Sequence, residues 1–376
     1  MPSSNGTARG AHQGAPPRAF LVGTGLIGGS IGLALRKHGW RVTGNDANPT
    51  HARRALDLGA IDAIGEDPLA EIAFVATPPG AVPGVVRDLV EAQRAKGDAG
   101  VPGLAITDVA GVKTPIVESI GAVQGFVGGH PMAGSEQLGI DGADPDLFEG
   151  ATWVLTPTAK TEPSAYSRVQ SVVSLLGAEV LALTPSQHDS LVAVVSHVPH
   201  LTATALMNLA SRTAKEHAAL LRLAAGGFRD MTRVAAGDPS IWPEICGENA
   251  AAIVDTLDSL VAELSGLRNR IAGGDRSRLL DALTSASQAR RALPVRAVRP
   301  VELAEVSLPV PDRPGVLAEI TTLAGDLAVN ILDLEIAHSA EGDRGVLVLV
   351  VGADEAERLR AGIAARGYRP RTRPLE

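Results

Sequence analysis

The chain has 376 residues, of which 45% are hydrophobic and 20% charged, a composition typical of folded globular proteins and sufficient for two or three domains. Its net charge of −8 and aromatic content of 3% argue against nucleic-acid binding, because nucleic-acid-binding proteins carry a basic excess and aromatic residues that stack on bases. The single cysteine, Cys246, excludes an intrachain disulfide and a cysteine-cluster metal site, and we expect no bound metal.

Residues 1–17 are rich in Ser, Gly and Pro and contain no apolar stretch of the kind found in signal peptides. This composition predicts a disordered tail and no secretion. Because no run of about 18 uninterrupted apolar residues follows, we expect no membrane span. The sequence therefore favours a cytoplasmic protein.

Changes of pattern divide the rest of the chain. In residues 18–184, short apolar runs alternate with helical periodicity, which predicts an α/β, Rossmann-like doubly wound domain with a mostly parallel sheet. Residues 185–293 predict an all-helical domain whose long apolar helices favour dimerisation, and residues 294–303 read as a linker. Residues 304–376 have a β-α-β-β-α-β pattern, which predicts a small ferredoxin-like domain. The strands expected in the first domain are Ala19–Gly23, Arg41–Asp46, Glu71–Thr77, Leu104–Val109, Gly125–Pro131, Ala151–Pro157 and Glu179–Pro185.

The first strand leads into a turn with glycines in G-x-G-x-x-G spacing. Gly23 permits a tight turn, Gly25 lets the backbone approach a pyrophosphate, and Gly28 lets the helix pack closely on the strand. The helix begins near Leu26 and Ile27, where backbone N–H groups favour an anion. This context predicts a dinucleotide site.

Asp46 ends the second strand about 20 residues further on, where a carboxylate accepts the ribose hydroxyls. It would repel a 2′-phosphate, which favours NAD over NADP. His51, Arg53 and Arg54 follow and leave NADP open. We include Thr77, at the end of a later strand, among the residues expected to bind the cofactor.

Several ordered motifs carry a family resemblance. They are Gly23–Ser30, Val75–Pro78, Thr107–Lys113, Gly128–Glu136, Ser196–His200 and Gly226–Trp242. Together they resemble the prephenate/arogenate dehydrogenase family of tyrosine biosynthesis, over residues 18–293. The segment from Ala304 resembles an ACT domain, a regulatory module that binds amino acids. The resemblance implies NAD-dependent oxidative decarboxylation of prephenate to 4-hydroxyphenylpyruvate, or of arogenate to tyrosine, by a homodimer.

His130 follows an apolar strand, at the sheet edge where doubly wound folds bind ligands. Imidazole titrates near neutral pH and suits a general base, although a His that caps a loop is the alternative. The resemblance implies that His130 is catalytic. It also implies that Glu136 lies near the substrate, where a surface carboxylate is equally plausible.

Asp189, Ser196 and His200 are spaced by seven and four residues, which predicts one helical face, and Pro199 is expected to kink that helix. His197 and His200 have no third ligand at a spacing suited to a metal. The resemblance implies that His200 acts in catalysis, that Ser196 binds substrate, and that Asp189 orients a neighbouring residue. A hydrogen-bond network between subunits is the alternative.

Arg229 and Arg233 are four residues apart, and a guanidinium can bind a carboxylate through two parallel hydrogen bonds. Prephenate carries two carboxylates, and the resemblance favours Arg233 as the substrate ligand. Trp242 is interpreted as a pocket or dimer-contact residue, with core filling as the alternative.

Gly111 departs from the family pattern, which commonly has a serine whose hydroxyl touches the substrate and nicotinamide region. The loss of one neutral hydrogen bond costs about 0.5–1.5 kcal/mol, so the enzyme interpretation stands. Lys113, in the same motif, is interpreted as either close to the ligands or a surface residue.

In the C-terminal segment, Asp312, Arg313, Pro314 and Gly315 lie at a strand-to-helix junction, and Asn330 is on the next strand. The resemblance implies an amino-acid site here, and pathway logic suggests tyrosine. A purely dimerising module is the alternative.

Two rival functions remain. A β-hydroxyacid dehydrogenase would need a lysine base, and only Lys215 offers an unsupported substitute. A regulator that binds NAD and an amino acid without catalysis would be compatible with Gly111, but not easily with His130, His200 and Arg233 together.

Overall fold

The computed structural model describes residues 15–95, 103–123, 125–134, 139–217, 219–237, 239–293, 303–311, 313–338 and 344–375. Most of the expected tail and linker, and the predicted site residues Glu136 and Asp312, lie outside these ranges. The chain forms two compact units. The first contains residues 1–193 and 239–252, and the second contains residues 194–238 and 253–376.

An eight-stranded sheet forms the centre of the first unit, in the order β3-β2-β1-β4-β5-β6-β7-β8. All neighbouring strands are parallel except β6 and β7. Six strands lie within the ranges expected from the sequence, β1 begins one residue before its expected range, and the two-residue β3 was not predicted. The strands are β1 (Arg18–Val22), β2 (Arg41–Asn45), β3 (Ala63–Ile64), β4 (Ile72–Val75), β5 (Ala105–Asp108), β6 (Phe126–Pro131), β7 (Thr152–Thr156) and β8 (Glu179–Ala182).

Helices cover the sheet on both faces, as the apolar strands require. Alternation along β1 shows this directly, because Leu21 packs in one buried cluster with Ile31 and Trp153, whereas Phe20 packs in another with Val86. The helices of this unit are α1 (Leu26–Lys37), α2 (Pro49–Asp57), α3 (Val82–Ala95), α4 (Thr114–Ile120), α5 (Pro163–Leu175), α6 (Pro185–Val192) and, in a later segment, α9 (Trp242–Glu248).

The helical segment after β8 is interrupted where the sequence predicted one kinked helix. Helix α6 begins at a capping box between Thr184 and Gln187, and a π-helix, Ala193–His197, separates it from α7 (Val198–Glu216). Pro199 lies in the first turn of α7, where a missing N–H costs little. The π-helix therefore breaks the regular spacing on which the prediction of one shared face for Asp189, Ser196 and His200 rested.

Three further helices have exposed apolar residues, and α10 and α11 are long. They are α8 (Gly226–Thr232), α10 (Ala250–Ala272) and α11 (Arg276–Arg291). By length and composition alone, the helical run Pro185–Lys215 would also be long and apolar enough to span a membrane. The run contains no stretch of about 18 uninterrupted apolar residues, because His188, Asp189 and other polar residues interrupt it.

The C-terminal segment of the second unit has the expected β-α-β-β-α-β order. Its antiparallel sheet has the order β10-β11-β9-β12, the arrangement of ferredoxin-like modules. Both helices pack on the sheet, and Ile320 and Leu359 are fully buried there. The elements are β9 (Leu303–Pro311), α12 (Val316–Asp326), β10 (Asp333–His338), β11 (Arg344–Gly352), α13 (Ala353–Ala365) and β12 (Arg371–Leu375).

Candidate active site

The glycine turn after β1 has the geometry that a pyrophosphate needs. Gly23 has a φ of 95°, in the left-handed region that favours glycine, and a Cβ there would collide with the loop after β4. A Cβ on Gly28 would collide with the Gly23 carbonyl, whereas one on Gly25 would meet no atom within 4 Å. Open space therefore adjoins the start of α1, where Leu26 and Ile27 are the first helical residues.

Asp46 and Thr77 supply polar groups to the two neighbouring loops. The Asp46 Oδ2 accepts hydrogen bonds from the backbone N–H and the hydroxyl of Thr24, at 2.8 and 3.1 Å. This fixes a carboxylate beside the glycine turn, with lone pairs left for ribose hydroxyls. The Oγ1 of Thr77 is buried and has no hydrogen-bond partner among the described residues. A buried hydroxyl of this kind favours a polar ligand, so the residues present fit a dinucleotide.

Two of the basic residues that left NADP open have acidic neighbours. Arg54 forms an ion pair with Asp141 at 2.7 Å, and the His51 Nδ1 lies 3.5 Å from the Asp46 Oδ1. Arg54 is thus directed toward a protein carboxylate, which supports the preference for NAD.

His130 lies at the carboxyl end of β6, on the same sheet edge as the glycine turn. A Cβ built on Gly111 would be 3.7 Å from the His130 Nε2, so this edge of the half-buried ring faces Gly111. On the other side, the His130 Nδ1 is 2.9 Å from the Nε2 of His188. The two rings meet edge to face, with their centroids 5.1 Å apart.

Asp189 anchors His188 from behind. Its Oδ1 lies 2.8 Å from the His188 Nδ1, and its two oxygens accept the backbone N–H groups of Lys113 and Thr114, at 2.8 and 2.7 Å. Burial raises the pKa of Asp189, but hydrogen bonds from His188, Thr114 and Lys113 outweigh burial and bring the pKa below its ordinary value. The amide of Asn249 also donates to the Asp189 carbonyl at 2.9 Å. A charged carboxylate is thereby fixed at the start of α4.

Lys113 matches neither interpretation made from the sequence. Its ammonium pairs with the Asp108 carboxylate, and both side chains are 0% exposed. Asp108 also accepts the backbone N–H groups of Ala110 and Gly129, each at 3.0 Å. Burial lowers the pKa of Lys113, against the opposing effect of Asp108. This buried pair braces the ends of β5 and β6, next to His130.

Ser196, His200 and Arg233 lie in the second unit. Ser196 is in the π-helix and His200 in the first turn of α7, both half-buried, and burial lowers the pKa of His200. A Cβ built on Gly237 would lie 4.0 Å from the His200 Cε1, and α7 packs against the turn that begins at Arg233. The structure thus brings His200 close to the segment that carries the exposed Arg233.

Family models match both the sheet-containing segment and the helical segment that follows it. Residues 31–182 match the family model described as prephenate dehydrogenase, nucleotide-binding domain, and residues 184–285 match prephenate dehydrogenase, dimerization domain. The prephenate dehydrogenase of Bacillus subtilis is 33% identical over 89% of this chain and 92% of that protein.

The chain belongs to the prephenate dehydrogenase family. It is therefore an NAD-dependent oxidoreductase, and the β-hydroxyacid dehydrogenase alternative is set aside. A structure of Aquifex aeolicus prephenate dehydrogenase with hydroxyphenyl propionate and NAD+ is similar, with a TM-score of 0.66 and 28% identity, covering 75% of this chain and all of that one. Synechocystis arogenate dehydrogenase has a TM-score of 0.63 and 30% identity, covering 73% of this chain and 98% of that one.

The predicted residue Trp242 lies on a helix of this prephenate dehydrogenase family member that contacts the loop after β4. Trp242 is half-buried at the start of α9, and Glu244 of that helix accepts the backbone N–H of Gly80 at 3.1 Å. This ties α9 to the loop that carries Thr77. Among the described residues, no group of three or more His, Cys, Asp or Glu side chains is arranged to hold a metal.

In the C-terminal module, Gly315 has a φ of 89° and precedes α12, whose N-terminus has no side-chain cap. Arg313 pairs with Glu319 at 2.9 Å, and the hydroxyl of Tyr368 donates to the same carboxylate at 3.0 Å. Pro314 and Asn330 are exposed, and Asn330 lies in the segment before β10 and not, as expected, on the strand. Arg313, expected to bind a ligand, is thus held by a neighbour on its own module.

The sequence interpretation missed His188. Helical spacing from Asp189 selects residues three, four or seven positions away. His188 is the immediate neighbour of Asp189, and it reaches both Asp189 and His130 because α6 packs beside α4 and β7, the strand next to β6. An adjacent His and Asp on a helix was the one available signal.

Replacing Asp189 with Asn is expected to lower the free energy of unfolding near neutral pH by about 1.5–3 kcal/mol, because charge-assisted hydrogen bonds are lost. The pKa of Asp189 is lower in the folded state than in the unfolded state, so its stabilising effect is present above pH ~4 and is lost as the pH falls through the folded pKa. Urea unfolding of both proteins across this range should show the difference shrinking toward acid. A difference that is independent of pH would contradict the assignment.

Replacing Gly111 with Ser tests the departure from the family pattern. The φ of Gly111 lies outside the left-handed region, and a Cβ there makes ordinary contact with His130, so the variant should fold. We expect kcat/KM to rise by up to about tenfold, because the hydroxyl adds a hydrogen bond near the His130 Nε2. Gly111→Ala has the same Cβ without the hydroxyl and is the matched control. A serine variant less active than the alanine variant would show that this site uses no hydroxyl here.

Proposed function

We propose that His130 is the general base of an NAD-dependent oxidative decarboxylation of prephenate to 4-hydroxyphenylpyruvate. The observation that carries this role is the position of its Nε2, which faces Gly111 at the sheet edge that also holds the glycine turn. When bound, NAD supplies the two-electron acceptor for the hydride that leaves the hydroxyl-bearing ring carbon.

The proton and electron balance defines what His130 must do. Its Nε2 takes the hydroxyl proton as the ring carbon loses its hydride and the C–O bond becomes a carbonyl. The ring carboxylate then leaves as carbon dioxide, and the electron pair of the broken C–C bond makes the ring aromatic and the oxygen a phenolate. The imidazolium returns the proton to that oxygen, so no net proton is released.

For the cofactor, we propose Gly23, Gly25 and Gly28 with the first N–H groups of α1, at Leu26 and Ile27, as the pyrophosphate site. The open space at Gly25 and the uncapped start of α1 support this assignment. Asp46 and Thr77 would bind the ribose and the nicotinamide half of NAD.

For the substrate, we propose that Arg233 binds a carboxylate, because guanidinium forms paired, charge-assisted hydrogen bonds with that group. We propose that Ser196, Glu136 and Trp242 also contribute to substrate binding. His200 would assist catalysis, and its lowered pKa supports a neutral imidazole at working pH.

Arogenate is the second candidate substrate, because the similar Synechocystis protein is an arogenate dehydrogenase. The two substrates differ only in a keto or an amino group on the side chain. NADH absorbance should be followed with each substrate at equal concentration. NADH formation with prephenate is the expected result. NADH formation with arogenate alone would show that arogenate is the substrate. No reaction with either would favour a regulator without catalysis.

We propose that two copies associate through the helical segment 185–293. Helix α10 exposes Val254, Val261, Leu264 and Ile271 at spacings of seven and three, a stripe that a partner helix would cover. The segment 184–285 also matches a family dimerization domain. Such a homodimer would cover apolar surface that also makes the run Pro185–Lys215 resemble a membrane span.

We propose that residues 304–376 form an ACT domain and that the domain boundaries are 18–184, 185–293 and 304–376. The sheet order and the left-handed Gly315 before α12 support an amino-acid site that includes Asp312, Arg313, Pro314 and Asn330. Tyrosine, the pathway end product, is the proposed ligand. Titration with tyrosine should lower activity or raise the melting temperature, and no response to any amino acid would favour a purely dimerising module.

We also propose that the protein works in the cytoplasm.

A further inference from the structure

A continuous series of hydrogen bonds connects the start of α4 to the candidate base. The backbone N–H groups of Lys113 and Thr114 donate to the Asp189 carboxylate, which in turn lies 2.8 Å from the His188 Nδ1. The His188 Nε2 is 2.9 Å from the His130 Nδ1. His188 is 0% exposed, so its two ring nitrogens are placed entirely by these neighbours.

The donor and acceptor roles in this series follow from the Asp189 carboxylate at one end of it. An ionised carboxylate only accepts hydrogen bonds, so the His188 Nδ1 must carry the proton shared with Asp189. The neutral His188 then has an unprotonated Nε2, which accepts a hydrogen bond. The His130 Nδ1 must therefore be the donor, and neutral His130 has its lone pair on Nε2, the nitrogen that faces Gly111.

We infer that His188 is a positioning residue that, with Asp189 behind it, selects the tautomer of His130 in which Nε2 accepts a proton. This inference rests on the proposed role of His130 as the base. The Asp–His series differs from a direct carboxylate–imidazole pair because a second imidazole transmits the orientation, and the buried carboxylate is not adjacent to the reacting group.

Because position 111 is glycine, the contact between His188 and the His130 Nδ1 is more important in this chain. A serine there would place a hydroxyl near the Nε2 edge of the ring, whereas glycine supplies no side-chain group on that side. The contact at Nδ1 orients the ring from the edge remote from Gly111. His188 can do this without competing for the substrate proton, because it contacts the other nitrogen.

The variants His188→Leu and His188→Gln test the inference. Leucine fills the space but cannot accept a hydrogen bond, whereas glutamine has one oxygen and one N–H group that can replace the two imidazole contacts. For the leucine variant we expect kcat to fall by about 10- to 100-fold, part of the effect of general-base catalysis, with both KM values within about threefold of wild type. The log kcat of the glutamine variant should lie at least about a third of the way from the leucine variant back to wild type.

Val192→Ala is the matched control, because Val192 is buried at the end of the same helix and makes no contact in the hydrogen-bond series. It should lower stability while leaving kcat unchanged. A leucine variant with kcat within twofold of wild type would overturn the inference. Equal losses of kcat in the leucine and control variants would do the same, because they would show a merely structural effect.

A second measurement does not depend on turnover or on any variant at position 188. Nitrogen-15 NMR of the imidazoles, with the His130 signals assigned from their absence in His130→Asn, reports which ring nitrogen carries the proton. Above the imidazole titration, the expected result is a protonated Nδ1 on His130, and a protonated Nε2 would overturn the inference. If the wild-type protein oxidises neither substrate, the function proposal fails while this measurement still decides the tautomer.

Discussion

His130→Asn is expected to lower kcat by about 100- to 10,000-fold, the range that a positioned general base contributes. Asparagine is close to imidazole in size but has no group that can take up the hydroxyl proton. The glycine turn, Asp46 and Thr77 are unchanged by the substitution, so the dissociation constant for NAD should stay within about twofold of wild type. Steady-state NADH formation measures kcat, and calorimetric titration with NAD measures the dissociation constant.

His38→Asn provides the control for this substitution. His38 is exposed at the end of α1 and is remote from the proposed base in the sheet order. The His38→Asn variant should retain the wild-type kcat. Near-wild-type turnover in His130→Asn would remove His130 from the mechanism, and a large loss of NAD affinity would show that the ring instead supports the cofactor.

Lys113→Met is expected to lower the free energy of unfolding by about 3–5 kcal/mol, the largest stability effect we anticipate. The substitution leaves the Asp108 carboxylate buried and without its ammonium partner, and among the described residues the N–H groups of Ala110 and Gly129 remain to stabilise the charge. Urea unfolding monitored by circular dichroism measures the change.

The double variant Asp108→Asn/Lys113→Met separates the charge from packing. Removing both charges should recover part of the loss, because an uncompensated buried charge costs more than the absent pair. A double variant less stable than Lys113→Met would show that the carboxylate is stabilising without its partner. A free energy of unfolding of Lys113→Met within about 1 kcal/mol of wild type would contradict the burial of this pair.

The layout of the first unit followed from the sequence because its strands are buried on both faces. Such strands give nearly continuous apolar runs, and all seven expected runs coincide with strands. Strand β3 was missed because two residues give no periodic signal. The glycine turn was predictable because Gly23 and Gly28 are positions where a Cβ would collide with the backbone.

The polar interior of the site was less predictable. Lys113 was interpreted as a ligand contact or a surface lysine, since a fully buried ammonium is rare and depends on Asp108, five residues earlier on the preceding strand. The π-helix before α7 follows from no simple residue pattern, and it altered the spacing between Asp189 and Ser196. His188 contacts both His130 and Asp189 only through packing between separate elements, which no local pattern shows.

A crystal structure of the full-length protein with NAD and 4-hydroxyphenylpyruvate is the most direct test of the role of His130. The phenol oxygen of the product stands where the substrate hydroxyl would be. We predict that this oxygen lies within hydrogen-bond distance, about 2.6–3.2 Å, of the His130 Nε2, with His188 still in contact with Nδ1. An imidazole turned away from the product, with the phenol oxygen bound by another group, would contradict the proposed mechanism.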